Sequence, residues 1–330
     1  MNSASSKAIF GLTALTGASF VGWVAGVQYS LRTRNLHPAK RDDRLVVSEN
    51  VRSMPGLPLF GTVSAASPIL PSNGDVPEMG SKFSTVTASR ISQIMKYGFP
   101  GHDTIRSYED FVLSYDRRNR VAHWVFEHFN KEMLRSNENA VDRSKCEFKP
   151  DESIHPYFRS QNTDYKGSGY DRGHLAAAGN HKRHQTHVQQ TFLLSNMAPQ
   201  VGPGFNRNSW NRLEKYVRRL ADAYKEVYVC TGPLYLPKIE SDGKKYVRYE
   251  VIGSNHVAVP THFYKIVVCE THRSELEMEA FVMPNVPIDD ATPLQNFRVP
   301  PDTVERAAGL LFFDNISRDK LTRINGKKLK

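Results

Sequence analysis

The sequence predicts an α+β fold in which a mainly antiparallel sheet is flanked by helices. Short apolar runs of strand length follow one another, and they do not alternate with helices as they would in a doubly wound sheet. No Walker loop and no dinucleotide-binding glycine motif opens a helix in this chain. The common nucleotide-binding α/β folds are therefore disfavoured.

The strand predictions rest on apolar runs bounded by polar turn residues. Phe111 to Tyr115 and Val121 to Phe129 are joined by the polar residues 116–119, which predicts a hairpin. Further strands are predicted at 227–230, 257–259, 263–269 and 276–283.

One amphipathic helix is predicted near the middle of the chain, because large apolar residues recur there at spacings of three and four. They are Trp210, Leu213, Val217, Leu220 and Tyr224. Trp210 is therefore assigned to the core. The opposite face is basic and is either an ordinary solvated surface or part of a nucleic-acid-binding surface. Its members are Arg212, Lys215, Arg218 and Arg219.

The composition is strongly basic. The 330 residues carry a formal net charge of +10, which favours a polyanionic partner, either nucleic acid or anionic lipid. The three cysteines, Cys146, Cys230 and Cys269, form no C-x-x-C pair, so a disulfide framework and a zinc ribbon are disfavoured. Cys230 and Cys269 lie in apolar runs and are expected to be buried core thiols.

The chain divides into three predicted parts. Residues 1–48 contain an apolar stretch at 8–29 followed by basic residues, with no acidic residue before position 42. A mitochondrial targeting and membrane-sorting segment is the favoured interpretation, with a secretory signal and an ordinary membrane anchor as alternatives. Residues 49–82 are rich in Pro, Ser and Gly and predict a linker, and residues 83–330 form the folded domain.

The sequence Asp171-Arg172-Gly173-His174 is the strongest chemical signal in that domain. In an extended segment Arg172 and His174 point to the same face. A guanidinium binds phosphate oxygens, and an imidazole can accept a proton from water near neutral pH. The pair therefore suits attack on a phosphodiester.

Two motifs follow this box in order: Leu194-Ser195-Asn196 leading to Pro199-Gln200, and Asn206 leading through Trp210 to Leu213-Glu214. Together they resemble the non-specific DNA/RNA endonuclease family, whose active site is a ββα-metal, or His-Me, finger. The resemblance runs from about Tyr108 to Phe313. It implies a Mg²⁺-dependent hydrolase that is indifferent to the sugar and leaves 5′-phosphate and 3′-hydroxyl ends, with Mn²⁺ as a substitute ion.

The resemblance also implies a role for each motif residue. His174 matches the general base, Asn206 the direct metal ligand, and Glu214 a carboxylate that holds the metal through water. Arg172 matches a phosphate-contacting arginine and Arg143, less directly, a second one. Asn196 matches a supporting asparagine. If Asn206 lies at the helix start, it and Glu214 project roughly 80° apart and can flank one ion.

Each assignment has a structural alternative. His174 could be a structural histidine, Asn206 a helix cap and Glu214 a surface carboxylate. His181, His184 and His187 are expected to be exposed or to lie near phosphate, and not to form a metal cluster. No role is assigned to Asp171 beyond shaping the turn.

The competing functions are a catalytically inactive, membrane-tethered nucleic-acid-binding protein and a small-nucleotide phosphodiesterase. The resemblance further implies a homodimer in the mitochondrial intermembrane space or at the inner membrane. It also implies relocation to the nucleus and DNA degradation during cell death. DNA and RNA are the expected partners.

Overall fold

The computed structural model describes residues 93–98, 100–135 and 141–329. The predicted targeting segment and linker, residues 1–48 and 49–82, lie outside these ranges, as does the start of the predicted domain. The described residues from His102 onward belong to one compact unit, and those before it to another. Only the first unit is considered further.

The fold is built on an eight-stranded sheet. The strands of the molecule are β1 (Thr104–Ser107), β2 (Phe111–Asp116), β3 (Val121–Phe129), β4 (Tyr170–His174), β5 (Met197–Val201), β6 (Glu226–Leu234), β7 (Lys238–Ile239), β8 (Lys245–Tyr246), β9 (Val251–Ile252), β10 (Val257–Ala258), β11 (His262–Glu270), β12 (Leu276–Pro284), β13 (Leu321–Ile324) and β14 (Lys327–Lys328). The order in the large sheet is β1-β2-β3-β6-β11-β12-β13-β14. Every neighbouring pair is antiparallel except β12 and β13.

The helices are short. The α-helices are α1 (Asn162–Tyr165), α2 (Gln185–Thr191), α3 (Asn211–Leu220) and α4 (Pro301–Ala308). Single 3₁₀ turns occur at Arg143–Lys145, Pro156–Phe158, Ala178–Asn180, Leu194–Asn196, Leu294–Phe297 and Arg318–Lys320. The segment Gly202–Trp210 runs directly into α3. Pro203 and Gly204 within it have non-helical backbone angles, and wide helical turns follow them. Within the described residues, no helix is both long enough and apolar enough to cross a bilayer.

The sheet separates two hydrophobic cores. Side chains alternate across a strand. Phe263 and Val267 of β11 therefore join the core beneath α3, whereas Tyr264 and Ile266 join the core beneath α4. The first core also packs β4, β5 and the 202–210 segment, so the elements that carry the motifs sit on one face of a rigid sheet.

The antiparallel α+β prediction is confirmed. The predicted hairpin is β2–β3, and the other predicted strands coincide with β6, β10, β11 and β12. On the predicted apolar helix face Trp210, Leu213 and Val217 are buried, whereas Leu220 and Tyr224 are half-buried and Tyr224 lies beyond the end of α3. Cys230 and Cys269 are buried free thiols, as expected.

Candidate active site

A two-stranded ribbon, β4 with β5, places the first motif beside the second. Arg172 pairs with Pro199 and His174 with Met197 in the antiparallel register. Gly173, between them, is packed against Gln200, because a Cβ there would lie 2.1 Å from the glutamine side chain. Arg172 and His174 consequently share a face, as predicted, and both line a cavity of about 860 Å³.

His174 is the last residue of β4, and its ring lies between two aromatic side chains. The centroid distances are 4.8 Å to Phe192 and 5.7 Å to Phe148. Burial, followed by the positive charges of Arg143 and His181, lowers the pKa of His174 to about 3. Its Nε2 atom is enclosed and has no hydrogen-bond partner among the described residues. The ring is therefore a neutral base at physiological pH.

Asn196 supports the chain just beyond His174. Its Oδ1 accepts a hydrogen bond from the Ala176 amide at 2.9 Å, and its Nδ2 donates to the carbonyls of Ala176 and Thr191. The side chain is fully buried. These contacts fix the backbone that leaves β4 and give the predicted supporting role a structural basis.

Asn206 lies in the wide-turn 202–210 segment, and its amide is oriented by Asp171. The amide Nδ2 donates to Asp171 Oδ2 at 2.9 Å, and Arg207 forms two further hydrogen bonds to the same carboxylate. These bonds, led by that from Arg207, lower the pKa of Asp171, so it remains an anion. An anion can only accept, so Nδ2 faces Asp171 and Oδ1 is free to act as a ligand. This is the role that the sequence did not reveal for Asp171.

Glu214 lies one turn into α3 and lines the same cavity as Asn206. Asn206 and Glu214 were expected to project from one regular α-helix and so to flank one ion. The turn that holds Asn206 is instead wider than an α-helical turn. Burial raises the pKa of Glu214 to about 7, although Lys265 and Arg218 act in the opposite direction. Among described residues, Glu214 forms no ion pair within 4.0 Å.

Both phosphate-contacting candidates line the cavity. The Arg172 guanidinium packs 4.2 Å from the Phe148 ring centroid and donates to Asn162 Oδ1 at 2.6 Å. Arg143 lies over Phe192, which also contacts the His174 ring. Arg143, whose match to the family was the less direct of the two, therefore also lies at the site in the folded protein.

The basic face of α3 divides into three parts. Lys215 and Arg218 line the cavity beside Glu214. Arg212 instead donates to the carbonyls of Asp290 and Thr292 and holds that loop, and Arg219 is exposed away from the cavity lining. The guanidinium of Arg212 is therefore held by the protein, and nucleic-acid binding by the four residues stays a prediction.

A buried charged cluster next to the site was missed. His181 was expected to be exposed or to lie near phosphate, but its side chain is 0% exposed and bridges Asp110 and Glu127 at 2.5 and 2.9 Å. Only His184 of the three neighbouring histidines is exposed, since His187 is half-buried with Nδ1 3.5 Å from Asp110. Glu127 and Lys265 occupy core-facing positions of apolar strands, and that pattern was the available signal for a buried cluster.

The cavity residues fit a hard divalent cation. The described residues contain no group of three His, Cys, Asp or Glu side chains that could hold a metal ion. The oxygen donors that line the cavity include the oriented amide oxygen of Asn206 and the carboxylate of Glu214. Few protein oxygens suffice for an ion such as Mg²⁺, which keeps most of its waters.

Comparison with known proteins agrees with this geometry. The family described as "DNA/RNA non-specific endonuclease" matches residues 90–319. "Endonuclease G, mitochondrial" of Caenorhabditis elegans is 48% identical over 309 residues, covering 93% of this chain and 98% of the relative. The human protein of the same name is 54% identical over 224 residues, covering 68% and 74%.

A solved structure titled "Crystal structure of the EndoG/EndoGI complex: Mechanism of EndoG inhibition" shares 67% identity and a TM-score of 0.68. The match covers 74% of this chain and all of that one. The family match covers more than half of the chain and the solved structure shares its fold, so the chain belongs to the DNA/RNA non-specific endonuclease family.

Proposed function

We propose that the chain hydrolyses phosphodiester bonds of DNA and RNA in this cavity, as a metal-dependent endonuclease that leaves 5′-phosphate and 3′-hydroxyl ends. Membership of a nuclease family supports the reaction class. The single observation that carries the assignment is that a neutral histidine, an oriented amide oxygen and a carboxylate line one basic cavity.

His174 acts as the general base. Its Nε2 is enclosed by protein, so Nδ1 is the nitrogen that accepts the proton from the attacking water. A pKa of about 3 keeps the free ring unprotonated. A bound phosphodiester brings negative charge that opposes the effect of Arg143, so the basicity of the ring rises when substrate is present.

Mg²⁺ is the proposed ion, with Mn²⁺ as a substitute. Asn206 would hold it directly and Glu214 through water. When bound, the ion supplies Lewis-acid stabilisation of charge on the phosphate and the leaving oxygen. Asp171 maintains the amide orientation that presents Asn206 Oδ1.

Arg143 and Arg172 bind and orient the phosphate. Lys166, Lys182 and Lys215 also line the cavity and extend its positive charge. Contacts of this kind address the backbone and not the bases, so binding should be insensitive to sequence and should weaken steeply with salt.

The cellular assignment follows the relatives, several of which are named mitochondrial. We propose mitochondrial targeting by residues 1–48, location in the intermembrane space or at the inner membrane through residues 8–29, and a homodimeric folded domain after the linker. Nucleic-acid turnover in mitochondria, and DNA degradation after relocation to the nucleus, would be its roles. N-terminal sequencing of the mature protein tests whether residues 8–29 are retained.

The function is tested by digesting plasmid DNA and RNA with Mg²⁺, in parallel with EDTA and with the His174→Ala variant. Cleavage only by the wild-type protein with Mg²⁺, together with retained binding by the variant, is expected. Binding without cleavage by the wild-type protein would favour the inactive tethered scaffold. Cleavage of dinucleotides but not of long polymers would favour the phosphodiesterase.

A further inference from the structure

The charged cluster next to the cavity consists of His181, Asp110 and Glu127. Both ring nitrogens of His181 face carboxylates, Nδ1 towards Asp110 and Nε2 towards Glu127. A histidine can donate from both nitrogens only when it is protonated. The arrangement is therefore a cation between two anions, in which His181 and Glu127 are closed off from water, Asp110 is half-buried and Glu127 can only accept hydrogen bonds.

Asn180 connects this cluster to the cavity. Its Nδ2 donates to Glu127 Oε1 at 2.8 Å, and its Oδ1 accepts from Arg218 Nε at 2.8 Å. Because the Glu127 carboxylate accepts, the amide cannot turn over without losing that bond. The anion at one end of Asn180 therefore fixes an acceptor at the other end, aimed at Arg218.

Gly179 provides the space in which the Arg218 guanidinium lies. A Cβ at Gly179 would stand 2.4 Å from Arg218 Nη2 and 2.8 Å from its Cζ. The arginine therefore packs flat against the 178–180 turn. It is held at Nε by Asn180, while the residue lines the cavity.

We propose that Asn180, oriented by Glu127, is a positioning residue that holds Arg218 in place as a preset phosphate contact of the cavity. The inference rests on the proposed function, since it requires that the cavity binds a phosphodiester. Asp110 and His181 act further back by keeping Glu127 ionised. A long arginine side chain loses much rotamer freedom when it binds. The Asn180 and Gly179 contacts supply that order before the substrate arrives.

The test compares Gly179→Ala, Asn180→Ala, Arg218→Ala and the double variant Asn180→Ala/Arg218→Ala in the full chain. Steady-state cleavage gives KM and kcat. Binding to a DNA duplex at several salt concentrations is measured in the His174→Ala background. Gly179→Ala is the cleaner variant, because Gly179 has no left-handed φ and the atom it displaces is the end of a flexible side chain.

We expect KM to rise about 10- to 100-fold in each single variant, with kcat less affected. The double variant should be no worse than Arg218→Ala alone. The slope of log affinity against log salt should fall by about one in Gly179→Ala and Asn180→Ala, as for loss of one phosphate contact.

Asn325→Ala is the matched control. Asn325 also bridges two backbone groups, Ala280 and Val299, but it does not line the cavity. Its loss should lower Tm and leave KM and the salt slope unchanged.

Three outcomes distinguish the positioning role of Asn180, the phosphate contact of Arg218 and the proposed nuclease function. Additive effects in the double variant, or an unchanged salt slope in Gly179→Ala and Asn180→Ala, overturn the positioning role and leave the nuclease assignment intact. An Arg218→Ala variant with wild-type KM and slope removes the phosphate contact itself, and the positioning role with it. DNA and RNA that stay intact when the wild-type protein is incubated with them and Mg²⁺ overturn the proposed function independently of Arg218.

Discussion

His174 and His181 lie seven residues apart in the sequence and have opposite environments. His174 is at the cavity and has no acidic partner within the described part of the chain, and burial beside Arg143 lowers its pKa to about 3. His181 is buried between Asp110 and Glu127, and their hydrogen bonds overcome burial and raise its pKa to about 9. One ring is a neutral base and the other is a fixed cation.

The difference shows that burial alone does not decide the charge of a histidine. Desolvation lowers the pKa of both rings, and the partners then determine the outcome. Among the described residues, the enclosed Nε2 of His174 has no hydrogen-bond partner, and leaving a buried polar atom unpaired costs free energy without a structural benefit. His181, whose two ring nitrogens both have hydrogen-bond partners, instead belongs to the scaffold that supports the cavity.

The largest expected effect comes from removing each ring in turn. His174→Ala should lower kcat by about 10²–10⁴-fold, because the base is lost, while Tm stays the same or rises. His181→Ala removes the cation beside the buried Glu127 and the half-buried Asp110 and should lower the free energy of unfolding by about 3–5 kcal/mol. Cleavage assays and thermal unfolding of both variants provide the comparison. A stable, active His181→Ala variant would contradict the scaffold role.

A second variant tests the orientation of Asn206. Asp171→Ala removes the acceptor for the Asn206 amide, which is then free to turn over. Apparent Mg²⁺ affinity in the cleavage assay should fall by about 10- to 100-fold. Arg207→Ala is the matched control, since it removes the bidentate pair but leaves the Asn206–Asp171 bond. Equal losses in the two variants would show that the amide orientation is not the cause.

The pH dependence of cleavage should report Glu214. Burial raises the pKa of its carboxyl to about 7, and the anionic form is the one that supports the cation. At low Mg²⁺ the acid limb of kcat/KM should therefore have a midpoint near pH 7. Added Mg²⁺ stabilises the anion and should move that midpoint to lower pH. A limb that persists unchanged in Glu214→Gln would belong to another group.

The smallest expected effect is on stability against pH. The raised pKa of His181 contributes stability that is complete below its unfolded value of about 6.5 and is lost as pH rises through about 9. The lowered pKa values of Asp110 and Glu127 act in the other direction and are lost in acid.

The cluster should therefore contribute most to the free energy of unfolding between the acid range, in which Asp110 and Glu127 become protonated, and about pH 6.5, above which the contribution of His181 begins to fall. Urea unfolding at a series of pH values, without metal, gives the free energy of unfolding. The Glu214→Gln background removes the titration of Glu214 from that curve. A curve that is flat between pH 6 and pH 9 would show that His181 is not a buried cation.

Much of the molecule was predictable because its signals are local. The β2–β3 hairpin and α3 carry their periodicity in consecutive residues, and the motif residues of β4 and α3 identify the site. β13 was not predicted, since it is a short strand that pairs with β12 across a separation of about 45 residues. The wide turn at Asn206 was also missed, because apolar spacing cannot distinguish it from an α-helical turn.

The buried cluster was missed for a related reason. His181 is followed by Lys182, Arg183 and His184, so the local sequence resembles a solvated loop. Its partners, Asp110 and Glu127, lie more than 50 residues away. Glu127 within the apolar run 121–129 and Lys265 within the apolar run 263–269 were the local signs that charges would be buried.

Nitrogen-15 NMR of histidine-labelled full-length protein compares the two rings most directly, with His174→Gln and His181→Gln used for assignment. At pH 7.5 the resonances of His174 should be those of a neutral ring, and they should not titrate on acidification to pH 5. Those of His181 should be those of an imidazolium at the same pH. If His174 titrates near pH 6.5, or His181 is neutral at pH 7.5, the division into catalytic base and structural cation is contradicted.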